Sequence, residues 1–239
     1  MDAEEFLGLQ ATHNPHRWFV EVTPGISTGG GFLFGGCGLG AAIAALEHTT
    51  GRPLIWATAQ YLSYAMNPSV LDIDVTVAAD GRSTAQARAT GHVADREIFT
   101  VNAALGSRSL PDQGQWAERP EVPGPDDCPE RNYRFDNDTS IMSRMDVRLA
   151  DGRDFSQMDG VPGTGRSALW ARMKDPIEWS PAMLAILGDY VPFGIGQALG
   201  AQAGGNSLDN TLRVVQIVPT DWVLVDIRVQ AIHHGFGHG

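Results

Sequence analysis

The most restrictive feature of this sequence is a glycine-rich stretch that runs into an apolar helix, Gly29 to Leu46. Its first half combines glycines with aromatic residues, and its second half is small and apolar on every side. A helix without a polar face is normally buried all round. Gly51, shortly after the apolar run, is typical of a helix end. The stretch therefore predicts a buried helix around which the rest of the chain is arranged.

The glycines near the start of this helix, Gly36, Gly38 and Gly40, allow two interpretations. The first N–H groups of a helix lack helical partners and the dipole there is positive, so this end can hold an oxyanion or a polarised carbonyl. Alternatively, the glycines only permit a core helix to pack closely on a sheet. A dinucleotide fingerprint is excluded, because the glycine spacing is wrong and a loop, not a strand, precedes the helix.

Composition narrows the choice of partners. The formal charge is -11 and the pI is about 4.9, which argues against nucleic acid or an anionic membrane as the main partner. No long uncharged apolar span predicts a transmembrane helix, and the acidic start differs from a signal peptide. Cys37 and Cys128 fit neither a disulfide framework nor a metal site. We therefore predict a cytoplasmic protein with free thiols, without a metal or other cofactor.

The pattern of elements occurs twice. Both halves predict a strand, a helix, a strand, a proline turn and a strand, and Pro68 pairs with Pro219 between the copies. Ser180 and Pro181 mark the start of the second helix. Strands are predicted at 17–22, 54–64, 70–77, 84–92, 98–105, 141–149, 167–173, 207–218 and 222–232. This arrangement predicts an α+β protein made of two fused units, each an antiparallel sheet laid over a helix.

This pattern divides the chain into three segments. Residues 1–106 form the N-terminal unit, the proline-rich stretch 107–131 is a surface linker, and residues 132–239 form the C-terminal unit. The second copy lacks counterparts of the last two strands of the first. An open apolar edge is unfavourable, so we expect a longer native chain or a second molecule to cover strand 222–232.

Four segments carry a resemblance to a known family: 34–43, 59–65, 184–189 and 207–211. In order and spacing they resemble the acyl-CoA thioesterase II family, the double hotdog thioesterases. The resemblance covers nearly the whole chain except the linker. It implies two hotdog units, an acyl-CoA substrate, assembly into a homo-oligomer, and hydrolysis of the thioester by an activated water.

The resemblance also implies the catalytic residues. The family holds its water with an aspartate, a threonine or serine, and a glutamine; the first two match Asp189 and Ser207. The family glutamine lies on the last strand, and neither Gln216 nor Gln230 matches that position. The family also tends to have glutamine where this chain has Cys37.

Substrate contacts are expected at the start of the central helix, where the amides of Gly35, Gly36, Cys37 and Gly38 could polarise the thioester oxygen. Tyr61 is expected either to line the acyl pocket or only to pack on the sheet. A carboxylate beside the water can accept its proton, which is general-base catalysis.

Other interpretations stay open. Asp189 could be a solvated carboxylate and Ser207 a turn residue, with Asp209 and Asn210 supplying the polar groups of the site instead. The chain could bind acyl-CoA without catalysis. Asn14-Pro15-His16 faintly resembles a motif of hotdog enoyl-CoA hydratases. The three histidines at 233, 234 and 238 suggest a metal site less than a glycine-rich turn between strands.

Overall fold

The computed structural model describes residues 1–112, 114–132 and 139–239. The predicted central helix is present as α2, Gly35–Thr50, and every residue from Gly36 to Leu46 is buried. Gly51 ends it in the left-handed conformation (φ 64°), and its N–H donates to the carbonyl of Glu47. That φ favours glycine, which explains why the helix ends there.

The remaining elements of the first half are short helix α1 and six strands: α1 (Ala3–Leu7), β1 (Leu9–Ala11), β2 (Arg17–Val22), β3 (Leu54–Tyr61), β4 (Ser69–Asp80), β5 (Thr84–Val93) and β6 (Arg96–Gly106). The second half contributes β7 (Met145–Asp151), β8 (Arg166–Met173), α3 (Pro181–Gly188), α4 (Val191–Leu199), β9 (Asp209–Arg213), β10 (Val223–Arg228), β11 (Ala231–His233) and β12 (Phe236–His238).

The strands form antiparallel sheets around α2. The largest has seven strands in the order β1-β2-β4-β5-β6-β3-β9. A second has the order β10-β8-β7, and β11 pairs with β12 in a hairpin. Helix α2 contacts β3, β4, β5 and β6 on one side and α3 on the other. The core therefore lies between the large sheet and the helix pair, as the predicted α+β double hotdog fold requires.

Strand β9 connects the two halves. It follows α4 in the chain, yet it pairs with β3 of the first half, from Trp56 opposite Arg213 to Gln60 opposite Asp209. The predicted division into 1–106, 107–131 and 132–239 stays a prediction, and Gln113 and residues 133–138 within it lie outside the described residues.

Helices α2 and α3 run antiparallel in close contact, and glycines make that contact possible. A Cβ atom at Gly36 would lie 2.7 Å from the carbonyl oxygen of Ala185, and one at Gly40 would lie 2.9 Å from that of Ala182. Close packing therefore explains Gly36 and Gly40. A Cβ atom at Gly38 would meet side chains instead, at 3.3 Å from both Leu33 and Phe99.

Several predicted elements are shorter than expected. Residues 141–144 form a 3-10 turn capped by Ser140 instead of the start of β7. The strand predicted at 207–218 covers only Asp209–Arg213. The strand predicted at 222–232 is interrupted after Arg228. The second helix breaks at Asp189, because the ring of Pro192 would clash with the carbonyl of Gly188 if the helix continued.

One segment is long and apolar enough to cross a membrane by length and composition alone, Pro181–Leu199. Half of it is buried inside the protein, it spans both α3 and α4, and it includes the buried carboxylate of Asp189. These features are those of a core helix pair. Packing of both helices in the core explains why the segment Pro181–Leu199 is so apolar.

Candidate active site

A cavity of about 230 Å³ opens where the first turn of α2 meets the end of α3. Both halves of the chain line it. The first half contributes Phe34, Gly35, Gly38, Tyr61 and Phe99, the end of the linker contributes Arg131, and the second half contributes Asp189, Tyr190, Phe193 and Ser207. The two predicted catalytic residues, Asp189 and Ser207, are therefore brought together in one cavity, together with part of the predicted substrate-binding set.

Asp189 is the central polar residue of this cavity. It follows the last residue of α3, and only 9% of it is exposed. Its Oδ2 accepts a 2.8 Å hydrogen bond from the N–H of Gly36, and Ser207 Oγ lies 3.5 Å from its Oδ1. The nearby side chain of Asn210 also favours the charged form of this carboxylate. The carboxylate is thus fixed from both halves of the chain.

Burial sets the protonation of Asp189. Desolvation raises the pKa of this carboxyl above its ordinary value, although the N–H of Gly36 and the side chains of Ser207 and Asn210 oppose the rise. A buried carboxylate with a raised pKa is a stronger proton acceptor than a solvated one. Such perturbed groups in a cavity are typical of functional sites.

The contacts at the start of α2 refine the expected role of the glycine amides. The N–H of Gly36 donates to Asp189, and the N–H of Gly38 donates to the carbonyl of Phe34 at 3.0 Å. Gly36 therefore orients the carboxylate. Gly35 must lack a side chain, because a Cβ there would lie 2.8 Å from Oδ2 of Asp189 and 3.2 Å from the ring of Tyr61.

Tyr61 links the two parts of the site. Its hydroxyl donates to the carbonyl of Gly35 at 2.8 Å, and its backbone N–H donates to the carbonyl of Leu208 at 2.9 Å. Leu208 follows Ser207, and Gly35 precedes Gly36. Burial, and then the charge of Asp189, raises the pKa of the Tyr61 phenol, so the hydroxyl stays a neutral donor.

Cys37 differs from the other residues of the predicted set. It is fully buried and is absent from the lining of the cavity. Burial, and then the charge of Asp189, raises the pKa of its thiol. The structure therefore places this residue in the core, where a thiol is inert, and its predicted substrate contact has no geometric support.

The residues of the hydratase and metal-site interpretations lie outside the cavity. Asn14 and His16 form a turn before β2, in which Oδ1 of Asn14 accepts from the N–H of His16 at 2.9 Å. His234 lies in the turn between β11 and β12. Across residues 1–112, 114–132 and 139–239, no three His, Cys, Asp or Glu side chains converge as a metal site requires.

Arg131 is a cavity residue that sequence analysis missed. Its guanidinium lies 4.6 Å from the centre of the Phe193 ring and 5.8 Å from that of Tyr190. It ends the linker, and no periodic pattern surrounds it. Nothing in the sequence pattern identifies this residue, because the fold alone brings the linker end beside α4.

A buried helix pair, antiparallel sheets around it and a buried carboxylate at the helix junction define a protein of the double hotdog class. Family comparison agrees with this class. Residues 22–106 match the acyl-CoA thioesterase N-terminal domain, and residues 125–239 match the acyl-CoA thioesterase C-terminal domain. The chain belongs to the acyl-CoA thioesterase II family.

Solved structures show the same relationship. A candidate thioesterase from Novosphingobium aromaticivorans is 34% identical, with a TM-score of 0.85 over 96% of this chain and 88% of that one. Two others share the fold at lower identity. An acyl-CoA thioesterase II from Mycobacterium marinum is 19% identical, with a TM-score of 0.69 over 98% of this chain and 88% of that one. A hot dog protein from Alicyclobacillus acidocaldarius is 18% identical, with a TM-score of 0.81 over 98% of this chain and 88% of that one. No curated protein sequence matches the chain.

Proposed function

We propose that this protein hydrolyses acyl-CoA thioesters to a free acid and CoA, with Asp189 as the general base. The observation that supports the proposal is the position of Asp189. Its carboxylate is nine-tenths buried in a cavity, held by Gly36 and 3.5 Å from the hydroxyl of Ser207. Family membership supports acyl-CoA as the substrate class.

In the proposed reaction, a water beside Asp189 attacks the thioester carbonyl carbon and gives its proton to the carboxylate. Ser207 holds the water in place. The tetrahedral intermediate then collapses, the C–S bond breaks, and the CoA thiolate leaves with the proton that Asp189 received. General-base assistance of this kind contributes about 10²–10⁴-fold.

The start of α2 supports the same reaction electrostatically. Negative charge develops on the thioester oxygen during the attack, and the positive end of a helix dipole stabilises such charge. Gly35 and Gly38 expose the backbone of this helix end to the cavity. The N–H of Gly36 serves the base instead, because it already donates to Asp189.

The test is the release of free CoA from a panel of acyl-CoA thioesters by the wild type and by Asp189→Asn. We expect a loss in kcat of about 10²-fold or more, because an amide cannot accept the proton. Asp209→Asn is the matched control, since Asp209 is exposed on β9 and does not line the cavity. Unchanged turnover in Asp189→Asn would reject the assigned base.

A second candidate function is acyl-CoA binding without catalysis. One observation favours it: among the described residues that line the cavity, none is a glutamine, the third residue of the family pattern. The same panel separates the two functions. Stabilisation by acyl-CoA without release of CoA would identify a binding protein. The cytoplasmic location and the homo-oligomer stay predictions.

A further inference from the structure

The cavity has a direction that follows from α2. Gly35 and Gly38 both line it, and residues three apart on a helix share a face, separated by about 4.5 Å along the axis. Gly35 lies beside Asp189 and Tyr61, which form the polar end. Gly38 faces the side chains of Leu33 and Phe99. The cavity therefore runs along the glycine face of α2 from the carboxylate to an apolar end.

The apolar end is closed. Its side chains are buried almost completely: Leu33 is 9% exposed, Ala65 1%, Ile98 3% and Phe99 1%. At the polar end, Gly205 and Asn206 line the cavity next to Ser207 and are exposed. A ligand that enters on the side of Gly205 and Asn206 has its innermost part against Phe99.

Phe99 forms the floor of the cavity, meaning the wall at its closed end, and its ring is held rigidly. It lies on β6 opposite Gly91 of β5, and a Cβ atom at Gly91 would lie 2.5 Å from its ring. The ring therefore rests directly on the backbone of β5. A Cβ atom at Gly38 would lie 3.3 Å from the same ring. Because glycine backbone lies close to the ring at both positions, a longer chain could not displace the ring without moving backbone.

The size of the cavity limits the acyl group. A volume of about 230 Å³ lies below the range of about 300–1,000 Å³ that is usual for pockets that enclose drug-sized ligands. The walls include the rings of Phe34, Tyr61 and Phe99, and aromatic walls favour a flat ring as well as a short alkyl chain.

We infer that the site takes compact acyl groups, short-chain or single-ring, and excludes long fatty acyl chains. Phe99 and Gly38 set this limit. The inference rests on the proposed function, because it assigns the acyl group of the substrate to the closed end of the same cavity.

The experiment measures kcat/KM for acetyl-, butyryl-, hexanoyl-, benzoyl-, decanoyl- and palmitoyl-CoA with the wild type. We expect the highest values among the compact thioesters, and a fall of about 10-fold or more at decanoyl and beyond. Phe99→Leu should raise the ratio of decanoyl to butyryl activity, because it opens the floor. Gly38→Ala should lower the ratio of hexanoyl to acetyl activity, because its methyl group fills the closed end.

The matched control for Phe99→Leu is Val101→Ala. Val101 lies on the same strand, is fully buried and does not line the cavity. It should lower the melting temperature without changing the order of substrates. A change in chain-length preference in this control would show that core disruption, not the floor, sets the preference.

Binding of non-hydrolysable thioether analogues of the same acyl-CoAs, followed by thermal shift, separates the inference from the proposed function. A compact preference in binding without any CoA release would reject hydrolysis and keep the pocket assignment. Hydrolysis that is highest for palmitoyl-CoA, or a preference that Phe99→Leu and Gly38→Ala leave unchanged, would overturn the inference and keep the proposed function.

Discussion

Replacing Tyr61 by Phe tests whether this residue positions the site or contacts the substrate. The hydroxyl of Tyr61 donates to the carbonyl of Gly35, and the adjacent Gly36 N–H holds Asp189, each at 2.8 Å. The substitution removes one hydrogen bond from the segment that orients the base, and keeps the ring. A sub-ångström shift of a catalytic group lowers turnover without abolishing it.

The expected magnitudes follow from these contacts. Loss of the bond, with the carbonyl of Gly35 left partly unsatisfied, costs about 1–2 kcal/mol of stability. In a chain of 239 residues this lowers Tm by about 2–8 °C. A misplaced base costs about 10–10²-fold in kcat, since 1 Å of displacement can cost about 10²-fold. KM should change little, because the hydroxyl points to the backbone and not to the ligand.

The assay combines steady-state CoA release with a thermal melt, and Tyr64→Phe is the control. Tyr64 lines the same cavity with 47% of its surface exposed. We expect its variant to keep both kcat and Tm. If Tyr61→Phe lowers Tm and leaves kcat unchanged, Tyr61 stabilises the fold but does not position the base. A rise in KM with unchanged kcat would show that it binds substrate, and would refute the positioning argument.

Four further predictions concern buried residues. Burial raises the pKa of Asp189, and only its ionised form accepts a proton. On acidification kcat/KM should therefore fall, with a midpoint pH above about 3.9, the ordinary pKa of an aspartate. For the same reason the folded state binds this proton more tightly than the unfolded state. Stability should therefore decrease as pH rises from the unfolded pKa through the raised folded pKa, and denaturant unfolding of Asp189→Asn should lack that decrease. Gly36→Ala should lose about 1–3 kcal/mol in denaturant unfolding, because its methyl group would meet the carbonyl of Ala185; unchanged stability would contradict the close helix contact. Cys37 and Cys128, both buried, should react with a maleimide only after denaturation, and rapid labelling of the native protein, read by mass spectrometry, would contradict their burial.

The sequence predicted elements best where local chemistry and burial agree. The strand Arg17–Val22 and the helix that ends at Gly51 were both expected at their observed positions. The break at Asp189 was not expected, because hydropathy continues through it and only the geometry of Pro192 prevents a continuous helix.

The candidate site was predictable only in part. The family resemblance pointed to Asp189 and Ser207, and the structure places them in one cavity. Their partner Gly36 is far away in the chain, and no local pattern shows that its N–H meets a carboxylate of the other half. The position of Arg131 likewise depends on where the linker ends in space, which a single sequence does not encode locally.

The pairing of β9 with β3 has a consequence for the autonomy of the two repeats. The sequence predicts the same order of elements in both halves, but strand residues 56–60 of the first half pair with residues 209–213 of the second. The sheet of the first half therefore takes its edge strand β9 from the second half, and both halves line the cavity. Cleavage within the 107–131 connection should therefore leave a nicked, still assembled protein that unfolds in a single cooperative step.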